Sequence, residues 1–183
     1  NVPRALFYNQ AVRELTNNRL HVLTPEDVVR YWDSIPERST TYADTSAVSV
    51  FPGEGPNKDL RKRALEIAGI RKAEFPLLVS DLGVEPADND YGFTLTGTDY
   101  VDAKEAPFLT HDGKLKYDPE RGLVESEDGV GIWTPSNQSG LRGAYRDRDG
   151  SLGFRDDRLL YSYSSGRVQL VSGAAAEKIM GKK

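Results

Sequence analysis

The chain has 183 residues, enough for one compact domain, with 38% hydrophobic and 28% charged side chains. It contains no cysteine, which excludes disulfides, thiolate metal sites and cysteine nucleophiles. Its formal charge of −4 conceals a segregation: residues 1–75 carry +1, residues 76–140 carry −9 and residues 141–183 carry +4, an asymmetry that either marks a partner surface or is neutralised between neighbouring strands.

No apolar run approaches the roughly 18–20 residues of a membrane span. No basic stretch followed by an apolar one opens the chain, so a protein without a signal peptide, cytoplasmic and not associated with a membrane, is expected. A start at Asn1 rather than Met is compatible with removal of an upstream segment.

The first third reads as helices. In PRALFYNQAVREL, Tyr8, Ala11, Val12 and Leu15 follow the i, i+3, i+4, i+7 spacing of one buried face. LTPEDVVRYWDSIP opens with Thr24 as N-cap, Pro25 at the first helical position, and Glu26 and Asp27 in the first turn. Each of these favours a helix start, because the cap accepts an orphan N–H and the acids face the positive end of the dipole. Val28, Tyr31, Trp32 and Ile35 form its apolar stripe, and Pro36 ends it. The β-branched run SAVSVF predicts a strand ahead of the glycine-rich PGEGPN. A third helix follows in KDLRKRALEIAG, with Leu60, Ala64, Ile67 and Ala68 inward and Gly69 as its stop.

After Phe75 the apolar period changes from that of a helix to that of a strand. YGFTLTG alternates Phe93 and Leu95 with threonines, and HDGK, EDGV, RDGS and SSGR carry hairpin-turn dipeptides. Residues 91–172 therefore read as an antiparallel meander of about seven or eight strands, and AAAEKIMGKK as a short C-terminal helix or tail. The expected class is α+β. Residues 1–75 form a mainly helical segment packed on a β-meander over 76–183, which a curl would close into a partial barrel, all in one folding unit.

The stretch YRDRDGSLGFRDDR, Tyr145 to Arg158, holds four aspartates and four arginines. An EF-hand loop beginning at Asp147 would put Leu152 where the chain needs glycine and Arg158 where it needs a bidentate glutamate, so this stretch is not read as an EF-hand. A hairpin with Asp149-Gly150 as a two-residue turn pairs Arg148 with Ser151, Asp147 with Leu152, Arg146 with Gly153 and Tyr145 with Phe154. One face then carries Tyr145, Leu152 and Phe154. The other carries Arg142, Arg146, Arg148 and Arg155, with Asp157 opposite Arg142, and is the expected partner- or anion-binding surface. A second hairpin at Ser165-Gly166 would pair Tyr163 with Val168 and Tyr161 with Leu170.

Other candidates are weaker. FPGEGPNKDLRKR sets Gly53 and Gly55 ahead of a helix bearing Lys58, Arg61, Lys62 and Arg63, but lacks both the Gly-Lys-Ser/Thr and the three-glycine phosphate patterns. Asp81, Glu85, Asp88 and Asp90 form an alternative acidic site for a hard cation or acid/base chemistry, against the plainer reading of a turn-rich loop. His21 and His111 have no metal-ligand spacing, and no serine sits in a nucleophile elbow. Asn137 opens the sequon NQS. No motif calls for a cofactor, a resident metal or a catalytic residue.

The function expected is a non-catalytic binding or assembly module that presents a charged sheet face and polar loops to a protein partner or a second copy of itself. One alternative is a nucleic-acid-binding protein using the arginine stripe. The other is a carboxylate- or metal-dependent hydrolase using the 81–90 acids.

Overall fold

The computed structural model describes residues 1–31, 42–160 and 166–172. The expected α2 positions Trp32, Ile35 and Pro36, the tyrosines at 161 and 163, and the AAAEKIMGKK tail lie outside the described residues.

Helix α1 (Val2–Leu15) starts at Asn1, whose side chain caps the Arg4 N–H. Its buried face is Val2, Ala5, Leu6 and Asn9, and the expected face is turned outward, with Tyr8 49% and Leu15 85% exposed. The spacing is the expected one in a different phase. The polar Asn9 belongs to the buried stripe because its side chain donates to Asp81 (2.5 Å) and accepts the Val22 N–H (2.8 Å).

After β1 (Leu20–Val22), α2 (Pro25–Arg30) opens on a capping box. The Thr24 hydroxyl accepts the Asp27 N–H, and the Asp27 carboxylate accepts the Thr24 N–H in return. Strand β2 (Tyr42–Val50) runs into the glycine-rich loop and α3 (Lys58–Ile67), which stops at Gly69. The Gly69 and Ile70 N–H groups bond back to Glu66 and Leu65, as a helix terminated by a left-handed glycine requires.

The remaining strands are β3 (Leu77–Ser80), β4 (Gly83–Pro86), β5 (Phe93–Thr96), β6 (Asp102–Glu105), β7 (Gly113–Asp118), β8 (Gly122–Glu125), β9 (Val130–Trp133), β10 (Leu141–Arg146), β11 (Leu152–Asp156), β12 (Gly166–Val168) and β13 (Leu170–Ser172). The architecture is α+β, with a curled sheet approaching a half-barrel. The strand order is β6-β3-β2-β10-β11-β9-β7-β8, with β12 on β2 and separate β1–β13 and β4–β5 pairs. A plain antiparallel succession is broken at two points: β11 runs parallel to β9, and β12 runs parallel to the start of β2. Of the Asp-Gly turns, only RDGS joins two paired strands directly. EDGV carries the chain from β8 across β7 to reach β9, and the β7–β8 hairpin turns at Gly122.

Both faces of the central strands are covered. Val48 and Val50 of β2 enter one core with α1 and α3, while Ala47 and Phe51 enter a second with Val28 and Val29 of α2. Strand β10, which pairs with β2 and β11, is consequently buried over all six residues. That two-sided burial decides the fate of the predicted arginine face.

Candidate functional site: a cleft at the β10–β11 hairpin

The hairpin turns through three residues rather than two. Asp147 accepts the Gly150 N–H (3.0 Å) and its own N–H reaches the Ser151 carbonyl (2.8 Å), with Gly150 in the left-handed region at φ +90°. This is a type I turn followed by a left-handed residue, for which glycine is the favoured choice. The pairing is therefore shifted by one from the predicted register: Tyr145 faces Gly153 and Arg146 faces Leu152, and a bulge restores the other phase at Gly143–Asp156. A one-residue slip moves side chains to the opposite face of a strand.

The consequence is a correction to the predicted stripe. Arg146 is fully buried, and burial pushes its guanidinium below the usual arginine range. Arg142 is 6% exposed; it donates to the Arg155 carbonyl (2.9 Å) and lies 3.6 Å from Asp157. Arg148 and Arg155 remain exposed. The four arginines do not share one solvated face, because β10 has protein on both sides.

What the hairpin does form is a cleft of about 590 Å³. Arg148, Arg155 and Arg158 line it together with Asp147, Asp156 and Asp157, and Tyr42 and Tyr145 complete the wall. The two tyrosine rings lie 4.9 Å apart, tilted by 31°. Tyr145 rests across Gly153, where a β-carbon would come within 2.1 Å of the ring. Burial raises its phenol above the usual tyrosine range, partly opposed by a hydrogen bond from Arg155.

Arg155 is held from the other side as well. Its guanidinium sits 5.1 Å from the Trp133 ring centre. Trp133 is itself fixed: its indole N–H donates to the Ser151 hydroxyl (2.8 Å), which donates to Asp149 (2.6 Å). The turn aspartate thus orients the platform under Arg155. Among the described residues Arg155 makes no ion pair, whereas Asp156 meets Arg158 (3.7 Å) and Asp157 meets Arg142. The wall formed by Asp157 and Arg158 also bounds a second depression of about 410 Å³, lined by Asn57, Tyr91, Leu159 and Leu160.

The acidic alternative is not assembled. Asp81 lies at a left-handed turn (φ +62°), where Arg13 donates to both its oxygens at 3.0 Å beside Asn9. Glu85, Asp88 and Asp90 are exposed on and beyond β4. No group of three histidine or carboxylate side chains converges as a metal site among the described residues.

The glycine-rich loop is likewise explained by packing. Gly53 accepts the Gly140 N–H (2.8 Å), and a β-carbon on Gly140 would lie 2.3 Å from the Pro56 carbonyl oxygen. Arg61 donates into the same loop, to the carbonyls of Phe51 and Pro52, and Glu54 pairs with Lys58 at 3.3 Å. His111 pairs with Glu125 at 2.8 Å on the surface.

His21 meets Asp27 at 2.9 Å within the capping box. Burial disfavours the Asp27 carboxylate, but the His21 contact and the Thr24 hydrogen bonds outweigh it and hold the group below its usual range. The ionised form therefore stabilises the fold above the unfolded-state value near ~4, and that contribution disappears as pH falls through the lower folded-state value. Asp27→Asn is expected to be less stable than the parent at neutral pH, with the gap narrowing below about pH 4, as urea unfolding across pH would read.

No protein-family model matches the chain, and neither a curated protein nor a solved structure is similar to it. No helix among the described residues is long and apolar enough to cross a membrane.

Proposed function

We propose that the chain is a non-catalytic binding module that receives a segment of a partner protein on the β10–β11 surface. The observation that carries this reading is the cleft itself, in which Arg155 is fixed between Trp133 and Tyr145 without an ion-pair partner among the described residues. Fixing such a side chain before binding removes the rotamer entropy that association otherwise costs. The shared Asp157–Arg158 wall joins this charged cleft to a depression holding Tyr91 and the half-exposed Leu160. A charged anchor beside an apolar landing suits an extended polypeptide.

Nucleic acid is the less favoured partner. A phosphodiester backbone entering the cleft would meet Asp147, Asp156 and Asp157 beside the arginines, and Arg142 and Arg146 are withdrawn into the protein.

Panning a random peptide display library on the immobilised full chain tests the proposal. Enriched peptides are expected to bind Arg148→Glu/Arg155→Glu at least about tenfold more weakly, since each charge-assisted contact is worth about 1.5–3 kcal/mol. Because Arg155 also meets Trp133 and Tyr145, the unfolding midpoint of the variant is measured alongside, and Arg148→Gln/Arg155→Gln serves as a milder companion that must also weaken binding. Enrichment indifferent to the double variant would sink the reading, as would tight oligonucleotide binding with a steep salt dependence.

A further inference from the structure

We infer that Arg155 is the receptor for an acidic side chain, Asp or Glu, of the bound polypeptide, with its guanidinium fork presented to the carboxylate from the Trp133 ring. The inference rests on the binding-module reading and names the chemistry of its central contact.

Three arginines and three aspartates are among the described residues that line the cleft. With Asp157 paired to Arg142 from outside it and Asp156 to Arg158, Arg148 and Arg155 face Asp147 with one positive charge in excess. The charges are not equivalent. Asp156 and Asp157 already have guanidinium partners, and the Asp147 carboxylate accepts the backbone N–H of Arg148 at 2.6 Å. Arg155 has an aromatic face beneath it and a phenol oxygen beside it, and neither neutralises it. A single univalent anion is what completes the set.

The Arg155 guanidinium carbon lies 5.1 Å over the Trp133 ring centre, and a guanidinium over a ring face, besides the donor given to Tyr145, retains N–H donors that a carboxylate can accept. The platform is not adventitious: the Trp133 indole is locked through Ser151 to Asp149, and Gly153 leaves room for Tyr145 to lie against Arg155. The second depression borders the cleft on the far side of Asp157 and Arg158, so a polypeptide whose acidic side chain meets Arg155 has an apolar surface next to it.

The test is an NMR titration of the ¹⁵N-labelled full chain, following the Trp133 indole signal assigned with Trp133→Phe. The probes are Ac-Gly-Glu-Gly-NH2, its Gln counterpart and inorganic phosphate. The Glu peptide is expected to shift the signal saturably, with the Gln peptide inert. Arg155→Gln and Arg155→Lys should each weaken binding about tenfold or more, because neither keeps the guanidinium over the ring. Unfolding midpoints equal to the parent's would show that the variants are folded. Equal binding of the Glu and Gln peptides, tighter binding of phosphate, or no saturable shift below about 50 mM would overturn the inference. Panned peptides that need Arg148 and Arg155 yet carry no acidic residue would overturn it while leaving the binding-module reading standing. Binding of the Glu peptide through Arg155 with no enrichment in panning would do the opposite.

Discussion

Replacing Arg13 by methionine is expected to destabilise the fold by about 3–5 kcal/mol, the range for removing one partner of a buried ion pair. Arg13 and Asp81 have side chains only 11% and 9% exposed, and the guanidinium donates to both carboxylate oxygens. Methionine preserves most of the aliphatic volume but leaves the Asp81 charge with Asn9 as its remaining side-chain donor. The same carboxylate ties α1 to the β3–β4 turn, whose backbone is fixed by the Asp81 N–H to Ser46 (2.9 Å) and by Thr98 on the Asp81 carbonyl (2.7 Å). Asp81→Asn is the informative companion, because asparagine tolerates the left-handed backbone there and only the charge is lost. The double variant Arg13→Met/Asp81→Asn should recover much of the loss, giving a coupling of about 1–3 kcal/mol in a four-protein urea-denaturation cycle. Additive losses would mean that the two side chains act independently.

The same network explains one limit of reading this sequence. The start of α2 and the end of α3 were legible because their signals are local, Thr24 as N-cap and Gly69 after the last turn. By contrast, α2 ends at Arg30 with the expected stripe residue Tyr31 as its C-cap, and Leu65 rather than Ile67 or Ala68 completes the buried face of α3. The buried phase of α1 was not legible either, because Asn9 looks like a surface residue until Asp81 is folded against it. The central sheet escaped for a related reason. β-Hairpin dipeptides speak for neighbours in sequence, and they could not reveal that β2 would lie beside β10 or that both faces would be covered.

The proposed binding surface was half legible. The density of charge in YRDRDGSLGFRDDR drew attention to the hairpin that forms the cleft, but the shortest turn compatible with Asp-Gly gave a register one residue out. Under that register Arg146 belonged to an exposed stripe, whereas it is fully buried. Tyr42 and Trp133 carried no local signal, since β2 and β9 bring them to the hairpin only through long-range pairing. The corrected register is what makes Gly153 intelligible, and it sets up the other large expected effect.

Gly153→Ala is expected to cost about 1–3 kcal/mol, as overpacking of a filled site does, and to abolish binding at the cleft. The added methyl would sit 2.1–2.4 Å from Cζ, Cε2 and the hydroxyl of Tyr145, and no real contact is that short. Something must move. Gly153 is fixed on one side to Tyr145 and on the other to Trp133 by strand pairing, so the ring is the part that yields. Its displacement separates Tyr145 from Tyr42 and removes the phenol beside Arg155. Tyr145→Phe provides the contrast: it deletes only the hydroxyl and should retain most of the stability while weakening the Arg155 contact. The readouts are a urea-unfolding curve and the Trp133 indole titration on the same samples. Gly153→Ala with parental stability and undiminished binding of the Glu peptide would show that Tyr145 does not form the cleft wall in solution. Loss of binding with a cooperative unfolding transition retained would place the effect in the cleft, separate from the fold that supports it.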